Sequence, residues 1–195
     1  MKTKILLLLL LIMSSYGYSQ EKDTVSFKRN ELKINALLLI AGAFEVTYEH
    51  LLNEESGVGV SLFASYDKED FDTKFSLTPY YRFYFGKKPA AGFFVEGFGM
   101  LNTYERDGYN KYDYNTGVLV DVVPDKNITD FALGFGIGSK WVNKKGFLFE
   151  INLGIGRNLF NSSDEYKDDY EDYYNDADDY QIVGRGGFSI GYRFN

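Results

Sequence analysis

Few residues in this chain invite a chemical reading, and His50 is the first of them. It is the sole histidine, so any Ser–His–acid triad would have to be built on it. Leu51 and Leu52 follow it directly. That setting suits a polar residue at an apolar border better than a general base. There is no cysteine, which excludes disulfides, thiolate metal sites and a lipid-bearing Cys. The series Gly134-Phe135-Gly136-Ile137-Gly138 looks superficially like a nucleotide loop, but no Gly-Lys-Ser/Thr ending and no helix follows it. Its glycines make room for larger side chains such as Arg or Tyr from neighbouring strands, or permit curvature.

The densest chemistry lies near the C-terminus. Residues 161–180 hold nine acids and one lysine, a net of −8, whereas the whole chain carries −7. The rest of the chain is therefore close to neutral, at +1. Asp164, Glu165, Asp168, Asp169, Asp172, Asp176, Asp178 and Asp179, with Tyr166, Tyr170 and Tyr173 among them, form a candidate interaction loop. Without a glycine it lacks the turn of an EF-hand, so specific calcium binding is not expected. A self-repelling, solvated loop is the plainer reading, and any partner it takes is expected to be a cation or a cationic protein. No cofactor, metal, catalytic residue or nucleic-acid partner is expected.

The elements that carry these residues follow from period two. From Tyr180 to Asn195, Ile182, Phe188, Ile190, Tyr192 and Phe194 share one face, and Arg185, Gly187, Ser189, Gly191 and Arg193 share the other. Such alternation is a β-strand, and its length suits a tilted strand across a bilayer, which needs about nine to eleven residues. Further strands are read at Leu32 to Ala41, Ala43 to Leu51, Gly57 to Tyr66, Thr73 to Phe85, Gly92 to Tyr104, Asp130 to Trp141 and Phe147 to Gly156, giving eight in all. Pro79 interrupts one of them by removing a ladder donor.

The links between strands set the orientation. Short links fall at Asn53 to Ser56, Gly86 to Ala91 and Asn143 to Lys145, while the long ones, Glu105 to Thr129 and Asn161 to Asp179, lie on the side opposite the termini. Barrels of this kind keep short turns in the periplasm, so both termini are expected there. Tyr48, Phe83, Phe85, Phe93, Trp141, Phe147, Tyr192 and Phe194 would then gather at one depth as an aromatic girdle. Within the first long link, Val118 to Val123 suits either a strand extension or a contact site.

The N-terminus agrees with export. Lys2 and Lys4 precede an apolar run from Ile5 to Ile12, and Ser14, Ser15, Gly17 and Ser19 follow it. This pattern is a signal peptide over residues 1–19. A mature N-terminal segment, 20–31, would lead into a barrel domain over 32–195. Eight apolar residues are too few for a spanning helix, so a membrane form must be a closed barrel.

The faces opposite the apolar bands carry Lys33, Glu45, Glu49, Lys74, Arg82, Glu96, Lys140, Glu150, Arg185 and Arg193. Facing lipid near the midplane, one Lys or Arg would cost roughly 2–4 kcal/mol. These residues are therefore expected inside, paired as a salt-bridge plug in a lumen that eight strands leave just wide enough for side chains.

With these strands, the signal peptide and the aromatic last strand, the chain resembles the small outer-membrane barrels of Gram-negative bacteria, of the OmpA transmembrane-domain and OmpX type. Lys33-Ile34-Asn35 through Gly42, Glu45 and Tyr48-Glu49 also resemble an uncharacterised subfamily known as a domain of unknown function. The resemblance implies that Tyr192 and Phe194 form a signal read by the barrel assembly machinery, although here Asn195 stands last. The expected fold is all-β: an eight-stranded antiparallel up-and-down transmembrane β-barrel, monomeric, in outer-membrane lipid. The expected role is structural or surface interaction, without enzymatic activity. Its rivals are a narrow pore for ions or small solutes and an exported lipocalin-like barrel whose strands are all inverted, with an apolar ligand inside.

Overall fold

The computed structural model describes residues 28–66, 71, 73–106, 108–113, 116–159 and 182–195. The signal-peptide reading and the acidic interaction loop, Asp164 to Asp179, lie outside the described residues. Eight strands form one closed antiparallel barrel: β1 (Asn30–Asn35), β2 (Ala43–Leu51), β3 (Ser56–Ser65), β4 (Thr73–Tyr84), β5 (Gly92–Arg106), β8 (Lys126–Val142), β9 (Phe147–Asn158) and β10 (Ile182–Phe194). Each pairs with its neighbour in the chain, and β1 pairs with β10 to close the ring. Between β5 and β8 a separate hairpin projects, formed by β6 (Tyr109–Tyr112) and β7 (Leu119–Val123). The apolar piece of that link is thus a strand of a side hairpin, outside the barrel ladder.

Alternation along the strands decides what faces where. In β9 every second residue is buried: Leu148, Glu150, Asn152, Gly154 and Gly156 point in, and Phe149, Ile151, Leu153 and Ile155 point out. The barrel consequently wears its apolar residues outside, with Phe135 at 68% and Leu153 at 71% exposure, and keeps Glu49 and Lys140 fully buried. The inverted arrangement, with aromatics inside and charges in water, is not the one adopted. Among the described residues no helix is long and apolar enough to cross a membrane.

At the end where β1 starts and β10 finishes, aromatic residues collect on the outer face. Phe83 and Phe85 have ring centroids 5.0 Å apart, and Phe147 and Tyr192 5.3 Å. The turn from β4 to β5 tucks beneath the barrel here, burying Ala90 and Ala91. Pro79 points outward, and the β4–β5 register is the same on either side of it, so the missing donor costs ladder bonds without shifting the strands.

Three sequence expectations are corrected. The first strand starts at Asn30, which brings Asn30 and Glu31 into the barrel. It stops at Asn35, where Ala36–Ala41 form a short helix, α1, in place of the strand expected to continue to Ala41. Asn35 caps this helix by accepting from the Leu38 N–H, and Gly42 ends it at φ 106°, in the left-handed region that glycine tolerates. The third concerns Lys74. A β-bulge at Thr73/Phe75 breaks the alternation, and Lys74 pairs with Glu105 at 2.7 Å and Asn127 at 2.9 Å on the outer rim instead of joining the interior charges.

Candidate functional site: the charged barrel interior

The lumen owes its contents to strand parity. Inward residues of β1, β2, β4, β5, β8, β9 and β10 place their charged ends in one connected network, which begins at the end where β1 starts and β10 finishes. There Arg193 donates to Glu31 at 2.7 Å and to the carbonyls of Pro89 and Ala90, tying the tucked turn to the last strand. Glu31 also accepts from Lys140 at 2.6 Å.

Glu49 is the hub of the next layer. It accepts from Lys33 at 2.7 Å, from Arg82 and Lys140 at 3.2 Å each, and from the Tyr80 and Tyr84 hydroxyls. Glu150 stands opposite, 2.8 Å from both Lys33 and Arg82. Arg82 closes the layer with Glu96 at 2.7 Å and stacks on the Phe94 and Tyr80 rings, 4.1 and 4.4 Å from their centroids. Toward the other end Arg185 faces Glu96 at 3.4 Å and Glu45 at 3.8 Å, and donates to Ser61 at 3.1 Å. Five carboxylates, Glu31, Glu45, Glu49, Glu96 and Glu150, thus face five cations, Lys33, Arg82, Lys140, Arg185 and Arg193. A buried set so large is tolerable only when its charges cancel and its donors are used.

Large inward side chains need space, and glycines on facing strands supply it. A Cβ on Gly134 or Gly138 would sit 2.2 Å from Phe98 or 2.3 Å from Phe94. The residues accommodated by that glycine series are phenylalanines, with Glu96 over Gly136, and not the Arg or Tyr anticipated. Those two rings wall the network against the β8 side.

Sequence reasoning omitted Glu31, Tyr84 and Asp130. Glu31 shares the parity of Lys33 and Asn35, and that signal was available. Tyr84 ends a strand whose even residues from Ser76 onward are buried, and Asp130, buried with Tyr104 donating to it at 2.7 Å, lies on the even face of β8. His50 bonds Asn30 through Nδ1 at 2.9 Å, beside Tyr48, which donates to the same oxygen. It is a strand-to-strand contact at the border. Among the described residues no group of three or more His, Asp or Glu is placed to hold a metal.

Comparison with known proteins agrees with this architecture. The fold is similar to that in the crystal structure of the N-terminal β-barrel domain of Pseudomonas aeruginosa OprF, with a TM-score of 0.53 and 12% identity over 85% of this chain and 96% of that one. No curated protein matches the chain. At 12% identity the likeness concerns the fold alone, and kinship is carried by a family model that residues 5–194 match. The chain belongs to that family, described as "Protein of unknown function (DUF3575)".

Proposed function

We propose that this protein is a non-enzymatic outer-membrane β-barrel that anchors an external surface and conducts no solute. The observation that carries this reading is the pairing of an apolar outer wall with a neutralised, buried interior: Phe135, Ile151 and Ile190 face out while Glu49, Arg82 and Lys140 fill the lumen. Water is a poor solvent for such a wall and lipid a good one. The ring of Phe85, Phe93, Trp141, Phe147 and Tyr192 fits the level of lipid headgroups, and the short links at that end support a periplasmic position for both termini.

In this reading an N-terminal signal peptide exports the chain, and Tyr192 and Phe194 of the last strand present the assembly machinery with its aromatic signal. The Tyr- and Asp-rich segment from Asp164 to Asp179 faces the outside, where its net charge suits a cationic or protein partner. The barrel acts as a monomer. Fractionation tests the core of the proposal: the mature chain is expected in outer-membrane fractions and resistant to carbonate extraction, and its recovery as a soluble periplasmic protein would overturn it.

A further inference from the structure

Among the described residues the lumen is filled at one end only. Beyond Arg185 the barrel holds a cavity of about 590 Å³, within the roughly 300–1,000 Å³ of small-molecule sites. Its apolar lining comes from Leu37 and Leu38 of α1, Phe63 of β3, Met100 of β5 and Val183 of β10. Its polar lining includes Glu45, Ser76, Asn102 and Arg185. Arg185 forms the floor, its guanidinium 5.3 and 5.4 Å from the centroids of Tyr80 and Phe98.

The wall beside this cavity departs from a complete barrel. β1 pairs with β10 only from Ser189 to Phe194, and with β2 only from Val46 to His50. Above Asn35 no strand lies between Ala43–Glu45 of β2 and residues 182–188 of β10, and α1 occupies the gap. A helix cannot continue a β-ladder, so main-chain groups of β10 that face this seam lose their strand partner. One of them, the Gly186 carbonyl, is served by the Asn35 side chain at 3.2 Å. Tyr66 holds the other flank of α1 by donating to the Leu39 carbonyl at 2.6 Å. Leu39 and Ile40 are exposed, Ile40 at 87%.

Inside, two buried polar atoms point to a ligand. Asn102 is 3% exposed and its Oδ1 has no hydrogen-bond partner among the described residues. Arg185 Nη1 likewise makes no hydrogen bond; it stands 3.4 Å from Glu96 Oε1, which makes none either, so the pair balances in charge with hydrogen-bonding capacity unused. An open acceptor and an open donor, in a site whose charges are already balanced, match an uncharged hydroxyl. A carboxylate or phosphate would instead meet Glu45 and Glu96.

Resting on the membrane reading above, we propose that the seam between β2 and β10 is a lateral opening through which a single-chain amphiphile with an uncharged hydroxylated head lies in the cavity. Its tail passes along α1 to the lipid, and its head bonds Asn102 and Arg185. The closed network below Arg185 makes the cavity a dead end, a binding site without a path onward.

The test uses the mature chain refolded into phosphatidylcholine vesicles and a monoacylglycerol carrying a photoreactive diazirine in its chain. Flotation of protein with vesicles reports insertion separately, so a chain that fails to float overturns the membrane reading and this inference with it. In floated protein, label is expected on Leu38, Met100 or Val183, displaced by unlabelled monoacylglycerol but not by the fatty acid of equal length. Label confined to outer-face residues such as Leu133 and Phe135, or equal displacement by the fatty acid, overturns the proposal. Met100→Trp fills the cavity and should abolish the internal label. Asn102→Leu leaves the apolar walls in place and should weaken it, and unchanged labelling in that variant also counts against the assignment.

Discussion

Lys140 Nζ lies 2.6 Å from Glu31 Oε2, although β9 and β10 separate their strands around the barrel wall. The contact crosses the lumen, so it reports the whole ring and not a local hairpin. Both groups are fully buried, and removal of Glu31 leaves Lys140 with Glu49 at 3.2 Å and takes from Arg193 its carboxylate. Glu31→Ala is expected to destabilise the barrel by about 3–5 kcal/mol. Replacing the pair together by Leu and Met should recover only part of that loss, because Arg193 still loses its carboxylate and Glu49 one of its donors. Urea unfolding of vesicle-inserted protein, followed by tryptophan fluorescence, measures both.

Glu49 accepts from three cations and two tyrosines, so its truncation strands more charge than that of Glu31. Glu49→Ala should exceed Glu31→Ala in cost, whereas Glu49→Gln should fall between Glu49→Ala and wild type by retaining acceptor capacity. The order of the three midpoints is the check.

Planar bilayers containing the wild-type barrel should show no steady conductance, because Arg82, Lys33 and Glu150 meet across the lumen at 2.8 Å. A large, stable current would overturn the filled-lumen reading.

Gly138 carries Phe94 on one side and the Ile151 carbonyl on the other, 2.3 and 2.4 Å from where a Cβ would stand. Gly138→Ala should cost about 1–3 kcal/mol. Phe94→Leu in the same chain should return only part of this, since the carbonyl stays in place. Comparison of single and double variants by urea unfolding separates the two clashes.

Asn35 caps α1 and bonds Glu45 at 2.8 Å. Asn35→Ala should lower stability by about 0.5–2 kcal/mol through the lost cap and raise hydrogen exchange at Leu38 ahead of the barrel strands.

The strands were legible because one face is apolar and the other carries the charges, and an alternation of Phe149, Ile151 and Leu153 with Leu148, Glu150 and Asn152 survives any local propensity. The helix was not legible, because Ala36 to Ala41 is apolar throughout and six residues show no period. Its only signals were the bounding Asn35 and Gly42, which also suit a turn. Lys74 was misplaced for a related reason: a bulge changes parity without leaving a mark in composition. Pair geometry inside the lumen was beyond reach, since parity says which side chains face in but not that Glu49, rather than Glu96, gathers most of the donors.

The closing ladder, Asn30 against Phe194 through Asn35 against Ser189, is short beside the fifteen-residue pairing of β5 with β8. It also joins residues more distant in sequence than any other pair of neighbouring strands. Loop-closure entropy falls most heavily on such contacts, and little ladder is gained in return. The order of assembly follows: a curved open sheet from β2 through β10 forms first by adjacent hairpins, and cylinder closure comes last, through one of the two short ladders that β1 makes. Breathing of the mature barrel should begin along the same line.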